Sequence, residues 1–163
     1  MASLRLFQDA APGDLLHIIT NMREADRAEV HALRWHDPDT GEHDDVRFAA
    51  EMGAVPGFSW VAYADDGEPV AVVGAHPVWP RVWTVFSFGT DRWKEVAILL
   101  TRHVRRHMIP GLVNAGAHLA FCFVADANAA ARGWLGRMGA REEHPLRQWG
   151  QNREDFIFCA WRN

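Results

Sequence analysis

The chain has 163 residues, 48% hydrophobic and 23% charged, the proportions of a globular protein burying a substantial core as a single domain over 1–163. Its net charge of −4 offers no general attraction to nucleic acid or an anionic membrane, and no apolar run approaches the roughly 20 residues of a membrane helix. Two cysteines, Cys122 and Cys159, exclude a disulfide scaffold or a zinc site and read as buried, reduced thiols in apolar runs.

The opening MASLRLFQDAAP lacks the apolar region of a signal peptide, and Ser3 to Gln8 reads as a short strand. Pro12 sits where helices begin, and Leu15, Leu16, Ile18, Ile19 and Met22 supply an apolar helical face. That helix continues, with room for a break, through MREADRAEVHALRW, whose mixed charges read as a solvent face. His36 to Asp45 is a turn-rich acidic loop, and the spacing of His36 and His43 does not support a metal site. Val46 to Met52 forms a short helix that Gly53, Pro56 and Gly57 break. Phe58 to Ala64 and Pro69 to His76 then make a hairpin about Asp65-Asp66-Gly67. Pro77 and Pro80 bracket a second turn before a strand at Val82 to Phe88.

From Asp91, the residues Trp93, Val96, Ala97, Leu100, Val104 and Met108 predict a long amphipathic helix ending before Pro110. Arg102, His103, Arg105, Arg106 and His107 occupy its other face, where cations near a helix C-terminus suit the macrodipole. His103 and His107 stand at metal-ligating spacing but without a third ligand. The stretch HLAFCFVADANAAARGWLGRMG, from His118 to Gly139, reads strand, tight turn, helix, glycine stop, with Asp126 and Asn128 as N-cap candidates. Arg141 to Trp149 and Asp155 to Trp161 close the chain as a hairpin. The order predicts an α+β domain, a mixed and mostly antiparallel sheet with helices on both faces.

This order, with Asn128, Ala131 and Gly139 in the register N-x-x-A-x-x-x-Y-x-x-x-G-F, resembles the GNAT superfamily of acetyl-CoA-dependent N-acetyltransferases. The resemblance implies a cofactor arm wedged between the strands Val82–Phe88 and His118–Val124. It would lie on Val85, Phe86 and Ser87, with Arg92 near the diphosphate and Asn128 beside the arm. The chain also departs from the pattern. A single glycine, Gly89, stands where the family carries a Gly-rich turn, and Asp91 is expected to cap the long helix and so occupy amides that a diphosphate needs. Leu135 aligns with the tyrosine that protonates the departing thiolate, and Ala140 replaces the final aromatic. In place of the family's glutamate base the candidates are Ser87, His76 one strand earlier, and Asp26 or Glu29 in the helical entry.

READR, VWTVFSFGTDRWKEV and FVADANAAARGWLGRMGA further resemble GNAT-like proteins of short-tailed bacteriophages, some of them internal virion proteins. Two functions follow from these resemblances. One is a virion-associated structural and interaction protein with a degenerate acetyl-CoA site. It would bind other virion proteins or itself, in the bacterial host cytoplasm and packaged in the particle, with Trp79, Trp83, Trp93 and Trp149 as exposed aromatics. The other is an active N-acetyltransferase, using acetyl-CoA on a host protein amine. No membrane partner is expected, and a nucleic-acid interface is the weakest reading.

Overall fold

Alternating apolar residues set seven strands, and the computed structural model, which describes residues 1–34, 36, 43–54 and 58–163, joins them in one sheet. They are β1 (Ser3–Leu6), β2 (Phe58–Tyr63), β3 (Pro69–Trp79), β4 (Val82–Gly89), β5 (Leu119–Ala125), β6 (Arg141–Leu146) and β7 (Phe156–Arg162). The spatial order is β1-β2-β3-β4-β5-β7-β6, antiparallel throughout except for β4 beside β5. Six helices cover it: α1 (Asp14–Thr20), α2 (Glu24–Ala32), α3 (Asp45–Ala54), α4 (Trp93–His103), α5 (Ile109–Asn114) and α6 (Ala129–Arg137). This is the expected α+β arrangement.

Strand alternation sorts the core into layers. On one face, Leu15, Ile18, Ile19 and Phe48 of α1 and α3 pack on Val61, Tyr63, Val72 and Phe88. On the other, Val96, Leu100, Val104, Met108 and Leu112 pack on Ala62, Ala71, Val73 and Ala75. Leu135 of α6 closes a third cluster with Val124, Ile157 and Cys159. Gly67 (φ 86°) turns the β2–β3 hairpin as read, and Gly139 (φ 91°) ends the α6 segment.

Several expectations are corrected. The first strand ends at Leu6, and a 3₁₀ turn over Phe7–Asp9 follows. The first helical region is two helices, broken at residues 21–23, where Met22 bridges Thr90. The short third helix runs on through Gly53. Pro56 and Gly57, and residues 37–42 of the acidic loop, lie outside the described residues. Pro77 does not turn the chain: β3 continues to Trp79, because by alternation the Pro77 nitrogen faces away from β4 and costs that ladder no bond, and the pairing with β4 shifts register between Pro77 and Trp79.

Pro110 does not end the long helix either. A π turn at Val104–Met108 widens the coil, with the Ile109 N–H bonding the Val104 carbonyl, and helix resumes to Asn114. The closing hairpin is shorter on its first arm, which stops at Leu146. Trp79 and Trp149 are exposed as expected, whereas Trp93 is buried and Trp83 packs against the core.

Candidate functional site

The parallel strands β4 and β5 pair only at Val82–Leu119, Trp83–Ala120 and Thr84–Phe121. Beyond that point they part, so Val85–Gly89 and Cys122–Ala125 form the sides of a splay opening toward the strands' C-terminal ends. The Thr90 N–H bonds the Val70 carbonyl. By alternation the amides of Val85, Ser87 and Gly89 therefore point away from β3 and toward the splay.

Helix α2 crosses this opening. Its Asp26 and Glu29 stand three residues apart, on one helical face. Asp26 Oδ2 accepts the Gly89 N–H at 2.8 Å and the Arg23 Nε–H at 2.8 Å. Glu29 Oε1 accepts the Ala125 N–H at 3.0 Å and an amide hydrogen of Asn128 Nδ2 at 2.8 Å. One helix turn thus bridges the diverged ends of β4 and β5 with two carboxylates, in place of the missing ladder. Arg23 also donates its own N–H to the Gly89 carbonyl and lays its guanidinium over the Trp93 ring. At its far end α2 is pinned by Gln151, whose N–H meets the Ala32 carbonyl and whose side-chain amide meets that of His31.

Burial pushes the pKa of both carboxyls up. For Asp26 the hydrogen bond and charge of Arg23 and the Gly89 amide pull partly back, and for Glu29 the Asn128 and Ala125 donors do so.

The remaining candidates are placed as follows. Asn128 is the N-cap of α6, its Oδ1 accepting the Ala131 N–H at 3.1 Å, so both ends of its amide are engaged. Ser87 and Val85 lie on the splayed stretch with side chains toward α4, while Phe86 packs on the opposite face beside Phe88. His76 pairs with Thr84 on β3 and packs against Phe86, so sheet alternation sets it on the face away from Ser87. Burial lowers the pKa of His76, whose Nδ1 has no hydrogen-bond partner among the described residues. Ser87, His76 and Glu29 therefore do not form one constellation, and Glu29 alone reaches the splay's open end.

Arg92 is held by Asp66 (2.9 Å), Glu68 (2.6 Å) and Glu95 (2.7 Å), and those bonds raise its pKa further. Asp91 is exposed and caps nothing. The Arg92 N–H meets Thr90 Oγ1 and the Trp93 N–H meets the Thr90 carbonyl, so Thr90 turns the chain into α4. The acid at this junction is instead Asp26, brought from α2, and it takes the last amide of β4 and none of the α4 amides. Gly89 is required for packing: a Cβ there would stand 2.7 Å from the Trp93 ring and 2.8 Å from the Val70 carbonyl. Leu135, at the aligned tyrosine position, is buried.

His103 and His107 lie with ring centroids 5.2 Å apart, and His103 meets the Trp60 ring at 4.4 Å. The described residues include no group of three or more side chains suited to a metal ion.

No family model and no curated protein matches the sequence. Solved structures do. The ribosomal-protein-S18-alanine N-acetyltransferase from Escherichia coli aligns with 99% of this chain and 94% of its own, at 20% identity and a TM-score of 0.69. A GCN5-related N-acetyltransferase from Kribbella flavida aligns over 99% and 98%, at 16% identity and a TM-score of 0.71. A Salmonella typhimurium protein solved with its cofactor acetyl-CoA aligns over 99% and 93%, at 16% identity and a TM-score of 0.71. With its sheet order, its splayed β4–β5 pair and these full-length superpositions, the chain has the fold of the GCN5-related N-acetyltransferases.

Proposed function

We propose that this is a GNAT-fold protein whose acetyl-CoA site is degenerate and whose working role is as a structural and interaction module of a phage virion. One observation carries the reading: Asp26 and Glu29 occupy the Gly89 and Ala125 amides and the Asn128 side chain. An acyl-CoA arm needs bare donors there, and buried Asp26 with half-buried Glu29 repels an anion as well as blocking those donors. The groups present do not fit that cofactor. Arg92 supports the same conclusion, being satisfied by three carboxylates. Leu135 has no proton to give a departing thiolate. The virion role rests on the likeness of READR and its companion segments to phage proteins, and the partners are other virion proteins or a second copy.

A second reading, an acetyl-CoA-dependent N-acetyltransferase acting on a protein amine, is favoured by the splay itself, which leaves the β4 edge beyond Thr84 without a strand partner. Calorimetry separates the two. The first reading expects that Asn128→Ala leaves any heat with acetyl-CoA unchanged, and micromolar binding weakened by Asn128→Ala would overturn it. Mass spectrometry of purified particles of the encoding phage should find the chain at fixed copy number. Its absence would end the virion assignment.

A further inference from the structure

A groove of roughly 670 Å³ runs between α4 with its π turn and α6. Arg102, Arg105, Arg106 and Arg137 line it, over a wall of Ala97, Ile98 and Trp134. Trp134 is fixed there, its indole N–H donating to Thr101 Oγ1 at 2.9 Å and its ring meeting Trp93 edge-on. Ile98 is 75% exposed, an apolar side chain at the rim with no cover.

These arginines are set apart from others in the chain. Arg23, Arg34, Arg92, Arg132 and Arg162 each hold a carboxylate within 3 Å. Among the described residues, none of the four groove arginines has a carboxylate within ion-pair distance. Clustered guanidiniums without counter-charges repel one another, so the arrangement carries a cost that a bound anion relieves. The helix dipole accounts for Arg137, in the last turn of α6, but not for the other three. Helix continues through the π turn to Asn114, so Arg102, Arg105 and Arg106 lie about two turns or more before the true C-terminus, beyond the reach of the end effect.

The size and the charge balance choose the anion. The volume is in the range of small-molecule sites, about 300–1,000 Å³. The chain is net −4 even with these four cations, so the surface beyond the groove is more acidic still and disfavours a long polyanion. Planar guanidinium forks match phosphate oxygens two at a time. We propose that this groove binds a compact polyphosphate, a nucleoside triphosphate or inorganic tripolyphosphate, through Arg102, Arg105, Arg106 and Arg137. A nucleoside would lay its base on Ile98 and Trp134. The site is independent of the β4–β5 splay and stands whether or not acetyl-CoA binds.

The test is calorimetry on the full chain at low salt with two probes, ATP and inorganic tripolyphosphate. Saturable binding is expected for at least one, weakening as salt rises. ATP binding several-fold tighter than tripolyphosphate identifies the nucleoside source, and equal or weaker binding the inorganic one. Arg102→Gln with Arg106→Gln and Arg137→Gln should weaken binding at least about tenfold, since each lost charge-assisted contact is worth that order. Arg141→Gln, an exposed arginine outside the groove, should leave it unchanged. Among the described residues the groove arginines have no ion-pair partners, so a melting temperature at or above that of wild type verifies that the triple variant folds, and Arg105→Glu alone gives an independent variant. No heat with either probe at 1 mM, or affinity unaffected by the triple variant, overturns the proposal. So does binding of a single-stranded oligonucleotide where both compact probes fail, and so does binding abolished by Glu29→Ala instead of by loss of the arginines.

Discussion

Glu29 on α2 and Asn128 at the head of α6, 99 residues apart in the chain, are joined by a 2.8 Å hydrogen bond donated by the Asn128 amide. The same Glu29 oxygen takes the Ala125 N–H, so one atom ties a helix, a strand end and a helix cap together. Glu29→Ala strands two donors and should cost about 1–3 kcal/mol in urea unfolding, with Glu29→Gln, which keeps an acceptor, losing less. Asn128→Ala should cost about 1–2 kcal/mol through the lost cap. The double variant should lose less than the sum, and strict additivity would show that the contact is not energetically coupled.

Asp26 tests the cost of a buried charge. Burial lifts its folded pKa above the unfolded 3.8, so the stability this group contributes is greatest below that value and falls as pH rises through the folded one. Asp26→Asn keeps an acceptor for the Gly89 N–H and removes the charge, and it should sit within about 1 kcal/mol of wild type at neutral pH. Asp26→Ala leaves that amide and Arg23 unanswered and should cost about 1–3 kcal/mol. Equal losses in both variants would point to charge, not satisfaction of the amide, as what matters there.

Histidine burial predicts an acid limb. His76 and His103 are lowered from 6.5 chiefly by burial, and for His103 the neighbouring His107 adds to the shift. A neutral form favoured in the fold gives stability that is complete above pH 6.5 and is lost as pH falls toward the folded values. Thermal melts should therefore drop between pH 6.5 and mild acid. Replacing both residues with Gln should make that limb shallower, with the share of His31 and His43, also lowered by burial, remaining.

Cys122 and Cys159 face each other directly across β5 and β7, and both are free. Burial pushes both thiols up, Cys159 to about 11, so little thiolate exists at neutral pH. A thiol reagent should react slowly with the native protein and count two thiols once it is denatured. A count below two after denaturation would contradict the reduced assignment.

Local features of the fold were legible because their causes are local. Asp65-Asp66-Gly67 forces a hairpin, and Asn128 followed by alanines and closed by Gly139 defines a helix, whatever surrounds them. The site was only half legible. Asn128 and Glu29 were both nameable from sequence, but Asp91 was expected to cap α4, whereas Thr90 turns the chain into that helix and the acid at the junction is Asp26, taking the Gly89 amide from 63 residues away. The available signal was the three-residue spacing of Asp26 and Glu29, two acids on one helical face, which reads equally well as solvent-facing charge. Pro77 and Pro110 misled for a related reason: a proline ends an element only where its missing N–H is needed, and here a nitrogen facing away from the β4 ladder and a widened turn make it unnecessary.

The π turn settles a geometric conflict written into the long helix. Its buried residues, Val96, Leu100, Val104, Met108 and Leu112, recur at strict four-residue steps. In a regular coil of 3.6 residues per turn each step overshoots by ~40°, so such a stripe would wind off the sheet within a few turns. The broad loop at residues 104–108 rotates the chain back, letting the fourth and fifth side chains meet the same β-surface as the first. Regular pitch with every residue kept would aim Met108 and Leu112 at water, whereas deleting one residue within the turn would leave a plain α-coil with both still against the sheet.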